Sequence, residues 1–128
     1  MSKQALKIVS DAMAAMSLEY EFGEYTKKPV KYPYFVGEYT ETESLTEDGL
    51  QESTVILTGF SRDSWLTLED AKAKIESYFN RVSGNVVMVD DGSAVAIFYT
   101  QSLIIPTGDA ELKKIQVNLS VKEWSVSV

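Results

Sequence analysis

Apolar residues recur at two different periods along this chain, and the switches between them mark its elements. Leu6, Val9, Met13 and Met16 lie three, four and three positions apart, padded by Ala5, Ala12 and Ala15. That spacing lays one stripe along a helix over residues 3 to 18. Gly23, Pro29 and Pro33 then break "EFGEYTKKPVKYP", which cannot be helical throughout. From Tyr34 to about Thr42 the chain is rich in aromatics, Val and Thr, the composition of a strand. Asp48-Gly49 is a turn signal, and "QESTVILTGFSR" after it is a second strand. The two strands make a long hairpin whose tip carries Glu41, Glu43, Glu47, Asp48 and Glu52.

Thr67 opens a second helix, with Glu69 and Asp70 in a first turn where negative charge suits the helix dipole. Leu68, Ala71, Ile75 and Tyr78 or Phe79 form its buried stripe, while Lys72, Lys74 and Glu76 face water. "VSGN" stops it. A tighter hairpin follows from "VVMV", "DDG" and "SAVAIFYTQSLII", and "PTGDAELKK" is a loop. In the last strand Ile115, Val117, Leu119 and Val121 alternate with polar residues, and then the apolar register flips to Trp124, Val126 and Val128. A one-residue slip moves the buried set to the other face, so a bulge is expected near Lys122 or Glu123. The expected fold is one α+β domain over residues 1–128, in the order α-β-β-α-β-β-β. Its sheet is mostly antiparallel or mixed, with two helices on one face.

At 128 residues, with 45% apolar and 24% charged residues, the composition is that of one domain with a proper core. No window approaches the roughly 20 apolar residues of a membrane span. The start, "MSKQALKIVS", has no apolar stretch and no small-residue cleavage site, so no secretory signal is expected. Cysteine and histidine are both absent. That removes disulfides, thiolate sites and the commonest general base and metal ligand. Nineteen acids against 12 bases give a net charge of −7, which favours solubility and repels duplex DNA.

Three constellations bear on chemistry, and each has a plainer reading. The acids of the hairpin lack the ordered loop of oxygen ligands that a hard cation requires, and read as a solvated tip. Asp90-Asp91-Gly92 reads as a turn rather than as paired acid–base carboxylates. "TGFSRDSW" offers Ser61, Arg62, Asp63 and Ser64, but a serine nucleophile here has no histidine to activate it. Arg62 and Asp63 organise the turn into the second helix, and Trp65 packs at its start. No phosphate-binding glycine motif occurs. The "KKPVK" run reads first as a solvated loop and second as a contact surface. The aromatic strand carries Glu38 and Glu41 where a base-stacking surface needs cations, so packing is the better assignment. No catalytic residue, metal site or cofactor is expected.

The stretch "YPYFVGEYTETESLTEDGLQESTVILTGFSRDSWLTLEDAKAKI" resembles the tail-completion, or tail-terminator, proteins of long-tailed bacteriophages and prophages. The features that carry the likeness are the aromatic-Pro-Tyr-aromatic-Val-x-Glu-Tyr opening, the acidic hairpin, and the "ESTVILTG" strand running into a Trp-containing turn and amphipathic helix. The resemblance implies a non-enzymatic virion protein at the head-proximal end of the tail, present in the host cytoplasm before assembly. It implies a homo-oligomeric ring, typically a hexamer, that caps the tail tube and meets the head-completion or connector protein. It implies neither sequence-specific nucleic acid nor membrane as partner. Assembly contacts in such proteins come from sheet edges and extended loops. Carried onto this chain, the assembly surface comprises Glu41, Glu43, Glu47, Asp48 and Leu50 of the hairpin, with Thr107, Asp109, Glu111 and Leu112 of the later loop. A long arm and open edges suit assembly by strand addition. The alternatives are another head–tail connector or tail component, or an acidic inhibitor that mimics DNA. The mimic predicts carboxylates spread over a broad face, whereas these concentrate on one hairpin.

Overall fold

The computed structural model describes residues 1–41, 50–88 and 92–124. The elements are α1 (Lys3–Ala15), β1 (Glu19–Phe22), β2 (Tyr34–Glu41), β3 (Leu50–Ser61), α2 (Trp65–Tyr78), β4 (Asn85–Met88), β5 (Ala94–Ile104) and β6 (Lys113–Trp124). They form an α+β fold around one six-stranded sheet, in the order β1-β2-β3-β6-β5-β4. Every neighbouring pair is antiparallel except β1 and β2, which run parallel, so the sheet is mixed. The order differs from the expected one by β1, which lies in a stretch where Gly23 and the prolines signal only a connection.

Both helices cover one face of the sheet. Ala5, Val9, Ala12 and Met13 of α1 and Ala71, Ile75 and Phe79 of α2 meet Phe35, Val55, Leu57, Val95, Ile97, Tyr99, Val117, Leu119 and Val121 in one core. Each fully buried Leu, Ile or Phe in it contributes about 1.5–3 kcal/mol of transfer free energy. Phe35 lies over Gly59 on the neighbouring strand, where a Cβ would come within 2.8 Å of the ring. Glycine at 59 is what lets the ring seat there.

Ser2 caps α1 by accepting the Ala5 amide at 3.1 Å. At the far end Ser17 takes a left-handed φ of 57°, and the Leu18 amide bonds back to the Met13 carbonyl at 2.9 Å. This closure turns the chain directly into β1. The second helix starts at Trp65, two residues before Thr67, so Glu69 and Asp70 fall beyond its first turn. Asp63 holds that start by accepting the Thr67 hydroxyl, while Trp65 itself is exposed rather than packed. Of the two candidates at the end of its stripe, Phe79 is buried and Tyr78 exposed.

The expected bulge at Lys122 or Glu123 is not there. Strand β6 pairs with β3 without interruption from Lys113 to Trp124. Its inward series simply ends on Glu123, which is buried and hydrogen-bonded to Ser2. Trp124 is the outward neighbour, and Val126 and Val128 lie outside the described residues. The register shift occurs on β5 instead, between Tyr99 and Gln101. There the Thr100 hydroxyl donates to the Asn118 carbonyl at 2.8 Å.

Candidate assembly surface

The described residues of the expected surface fall at the two ends of the sheet. Leu50 stands opposite Trp124, and Trp124 opposite Ala94, so the β2–β3 and β4–β5 connections both leave from one end. Ser61 stands opposite Lys113 at the other end, where the loop before β6 lies. The twelve residues of β3 span about 36 Å at about 3.3 Å each. Glu41 and Leu50 therefore belong to one end, and Thr107, Asp109, Glu111 and Leu112 to the other. Glu43, Glu47 and Asp48, with the Asp48-Gly49 turn, lie outside the described residues, as do Asp90 and Asp91.

Acidic residues concentrate in one stretch of the sequence. From Gly37 to Glu52 the chain holds Glu38, Glu41, Glu43, Glu47, Asp48 and Glu52 and no lysine or arginine. Glu41 is exposed and ion-paired with the Met1 amine, and Glu52 faces Lys122 in register.

The opposite end is ordered by hydroxyl and guanidinium contacts. The Thr107 hydroxyl bonds the Asp109 and Leu112 carbonyls, at 2.9 and 2.8 Å, and Asp109 accepts the Glu111 amide at 2.9 Å. Arg62, at the end of β3, donates to the Tyr32 hydroxyl at 3.3 Å and to Asp109 at 3.4 Å. Both partners raise the guanidinium pKa, Tyr32 more than Asp109. The turn residue Arg62 thus ties the loop at 107–112 to the connection before β2.

A column of rings crosses the uncovered face at this same end. Tyr25 stacks on Tyr34 at 4.2 Å between centroids, Tyr34 on Phe60 at 5.0 Å, and the Lys114 ammonium lies 5.4 Å from the Phe60 centroid. Partial burial and the neighbouring tyrosines raise the Tyr34 pKa. With Glu24, Glu38 and Thr58 these groups line a shallow hollow of about 350 Å³. Reading along β2 alone shows glutamates beside the aromatics, and the cations next to the rings come from other strands. The alternation of Tyr34 with Phe35 and of Phe60 with Gly59 was the available signal, but only pairing aligns it.

Both sheet edges are stepped. On one side β1 pairs with β2 only as far as Gly37, and Glu38, Tyr39, Thr40 and Glu41 beyond it are all exposed. On the other, β4 pairs with β5 only from Ala94 to Ile97. Among the described residues no strand pairs with the outer side of β5 at Gln101–Ile104 or with the outer side of β1. Phe22 on β1 is 49% exposed, and Leu103 and Ile104 on β5 are 42% and 59% exposed.

No family model matches the chain, and no curated protein matches it. The structure described as "Virion of native gene transfer agent (GTA) particle" contains a chain similar to this one, with a TM-score of 0.67 and 10% identity. The match covers 95% of this chain and 90% of that one. At that identity the likeness establishes a shared fold over nearly the whole of both chains. No group of three or more acidic residues that could hold a metal ion occurs among the described residues. None of their helices is long and apolar enough to cross a membrane.

Proposed function

We propose that this chain is a structural subunit of a phage or phage-like virion, of the tail-terminator kind. It forms a ring, typically a hexamer, that caps the tail tube and presents its other side to the head-completion or connector protein. The carrying observation is the fold shared with a chain of the gene transfer agent virion over 95% of this sequence. The tail-terminator resemblance of residues 32–75 supports the finer assignment.

Two further features fit that role. A joining protein needs two distinct docking surfaces facing opposite ways, and the hairpin end and the loop end are about 36 Å apart along β3. A ring through which DNA passes should not grip it, and a chain of net charge −7 meets that requirement. The concentration of six acids and no base in the sequence stretch from Gly37 to Glu52 speaks against a DNA mimic, which spreads them over a face. Position along the particle separates a terminator from another connector or tail component.

Light scattering behind a sizing column, from dilute to concentrated protein and with or without tail tubes, tests this function. Rings with a central hole in electron micrographs of the large species are the expected result. A strict monomer under every one of those conditions overturns it.

A further inference from the structure

The stepped edges of the sheet match each other. Register carries a row of residues across five strands: Ile104, Ile115, Gly59, Phe35 and Tyr20 stand side by side on β5, β6, β3, β2 and β1. The next row joins Leu103, Gln116, Thr58, Val36 and Glu21, and the one after it Ser102, Val117, Leu57, Gly37 and Phe22. The open stretch of β5 and the four residues of β1 therefore lie at the same height on opposite edges. Where one edge is recessed at β5, the other projects as β1. At the hairpin end the relation reverses, with β4 projecting and β2 recessed.

We infer that the occupant of the open β5 edge is β1 of a second copy of this chain, added as an antiparallel strand in the same orientation. This rests on the ring reading and names the contact that closes the ring. Strand β1 runs toward the hairpin end and β5 runs away from it, which sets the antiparallel sense. In register, Tyr20 meets Ile104, Glu21 meets Leu103 and Phe22 meets Ser102. Tyr20, Phe22, Ser102 and Ile104 all project on the helix-covered side, so the exposed Phe22 and Ile104 become diagonal neighbours there. The chemistry of the edge agrees. No charged residue occurs between Asp91 and Asp109, so β5 lacks the lysines and prolines that keep a free edge from pairing. Such a contact joins two different surfaces of identical copies, and repeats around an axis until it closes.

The absence of native cysteine makes the contact directly readable. Oxidation of Glu21→Cys/Leu103→Cys is expected to give a ladder of covalent multimers that stops at the ring size. Glu21→Cys and Leu103→Cys mixed as separate chains are expected to stop at dimers. Charge gives a second readout at an exposed position that tolerates change. Leu103→Glu, opposite Glu21, is expected to weaken association by about two- to fivefold per contact, Leu103→Lys to preserve it, and Glu21→Lys to rescue Leu103→Glu. Rings of normal form with no ladder, and with Leu103→Glu equal to Leu103→Lys, overturn the edge contact while the ring reading stands. A ladder that grows into open filaments upholds the contact and overturns ring closure. An unmodified chain that stays monomeric, alone and with tail tubes, overturns both.

Discussion

Glu123, on the last strand, accepts hydrogen bonds from both the amide and the hydroxyl of Ser2, across nearly the whole length of the chain. Glu123 is only 8% exposed, and Ser2 in turn caps α1. The first helix is thereby pinned to the sheet at the hairpin end. Glu123→Ala leaves the Ser2 donors without their partner and is expected to cost about 1–3 kcal/mol. Glu123→Gln, which keeps one acceptor, is expected to cost less. Urea denaturation of both variants checks the order.

The Phe35 ring occupies the space a side chain at position 59 would need. Phe35 is fully buried and a Cβ at position 59 would lie 2.8 Å from its ring, so Gly59→Ala forces a shift in the core. The expected loss is about 1–3 kcal/mol. Replacing Gly108 by Ala meets no atom within 4 Å and serves as the contrast, with only the strain of its positive φ. Thermal melts of the pair distinguish crowding from backbone strain.

Burial raises the Tyr20 phenol pKa to about 12 from its ordinary 10. The folded state therefore favours the protonated phenol. Its contribution is fully present below pH 10 and is lost as pH rises from about 10 toward 12. With partial exposure discounting it, such a shift corresponds to about 1–2 kcal/mol. Tyr20→Phe is expected to flatten that part of the stability curve. Denaturation midpoints collected between pH 9 and 12 test it.

Much of this architecture was legible in the chain. The three-four-three spacing from Leu6 to Met16 placed α1, and the alternation from Ile115 to Val121 placed β6 and its inward face. What periodicity could not carry was the identity of an inward residue that is charged. Glu123 satisfies its burial through Ser2, a partner distant in sequence, so an unbroken strand looked like a register flip. Strand β1 was hidden for another reason. Four residues beside a glycine carry too little pattern, and their strand character comes from pairing with β2. The placement of Glu41 and Leu50 at one end of the sheet and Thr107 to Leu112 at the other depends on the β3–β6 register, which no local pattern encodes.

The double charge reversal Glu47→Lys/Asp48→Lys tests the hairpin end. The acid-rich composition there is that of a surface segment, where substitutions cost little, so melting is expected to stay within about 0.5 kcal/mol of the native chain. Assembly is expected to fall if this end docks. Virion yield scored by complementation measures it, and an undiminished yield removes the hairpin from the assembly surface.

A terminator sits at a single position on the particle, and gold labelling of a tagged chain on intact particles and isolated tail tubes reads that position. Label is expected at one end of the tube, on the head-proximal side, with a ring of density in averaged images. Label along the whole tube, label confined to the capsid, or particles without label would contradict it.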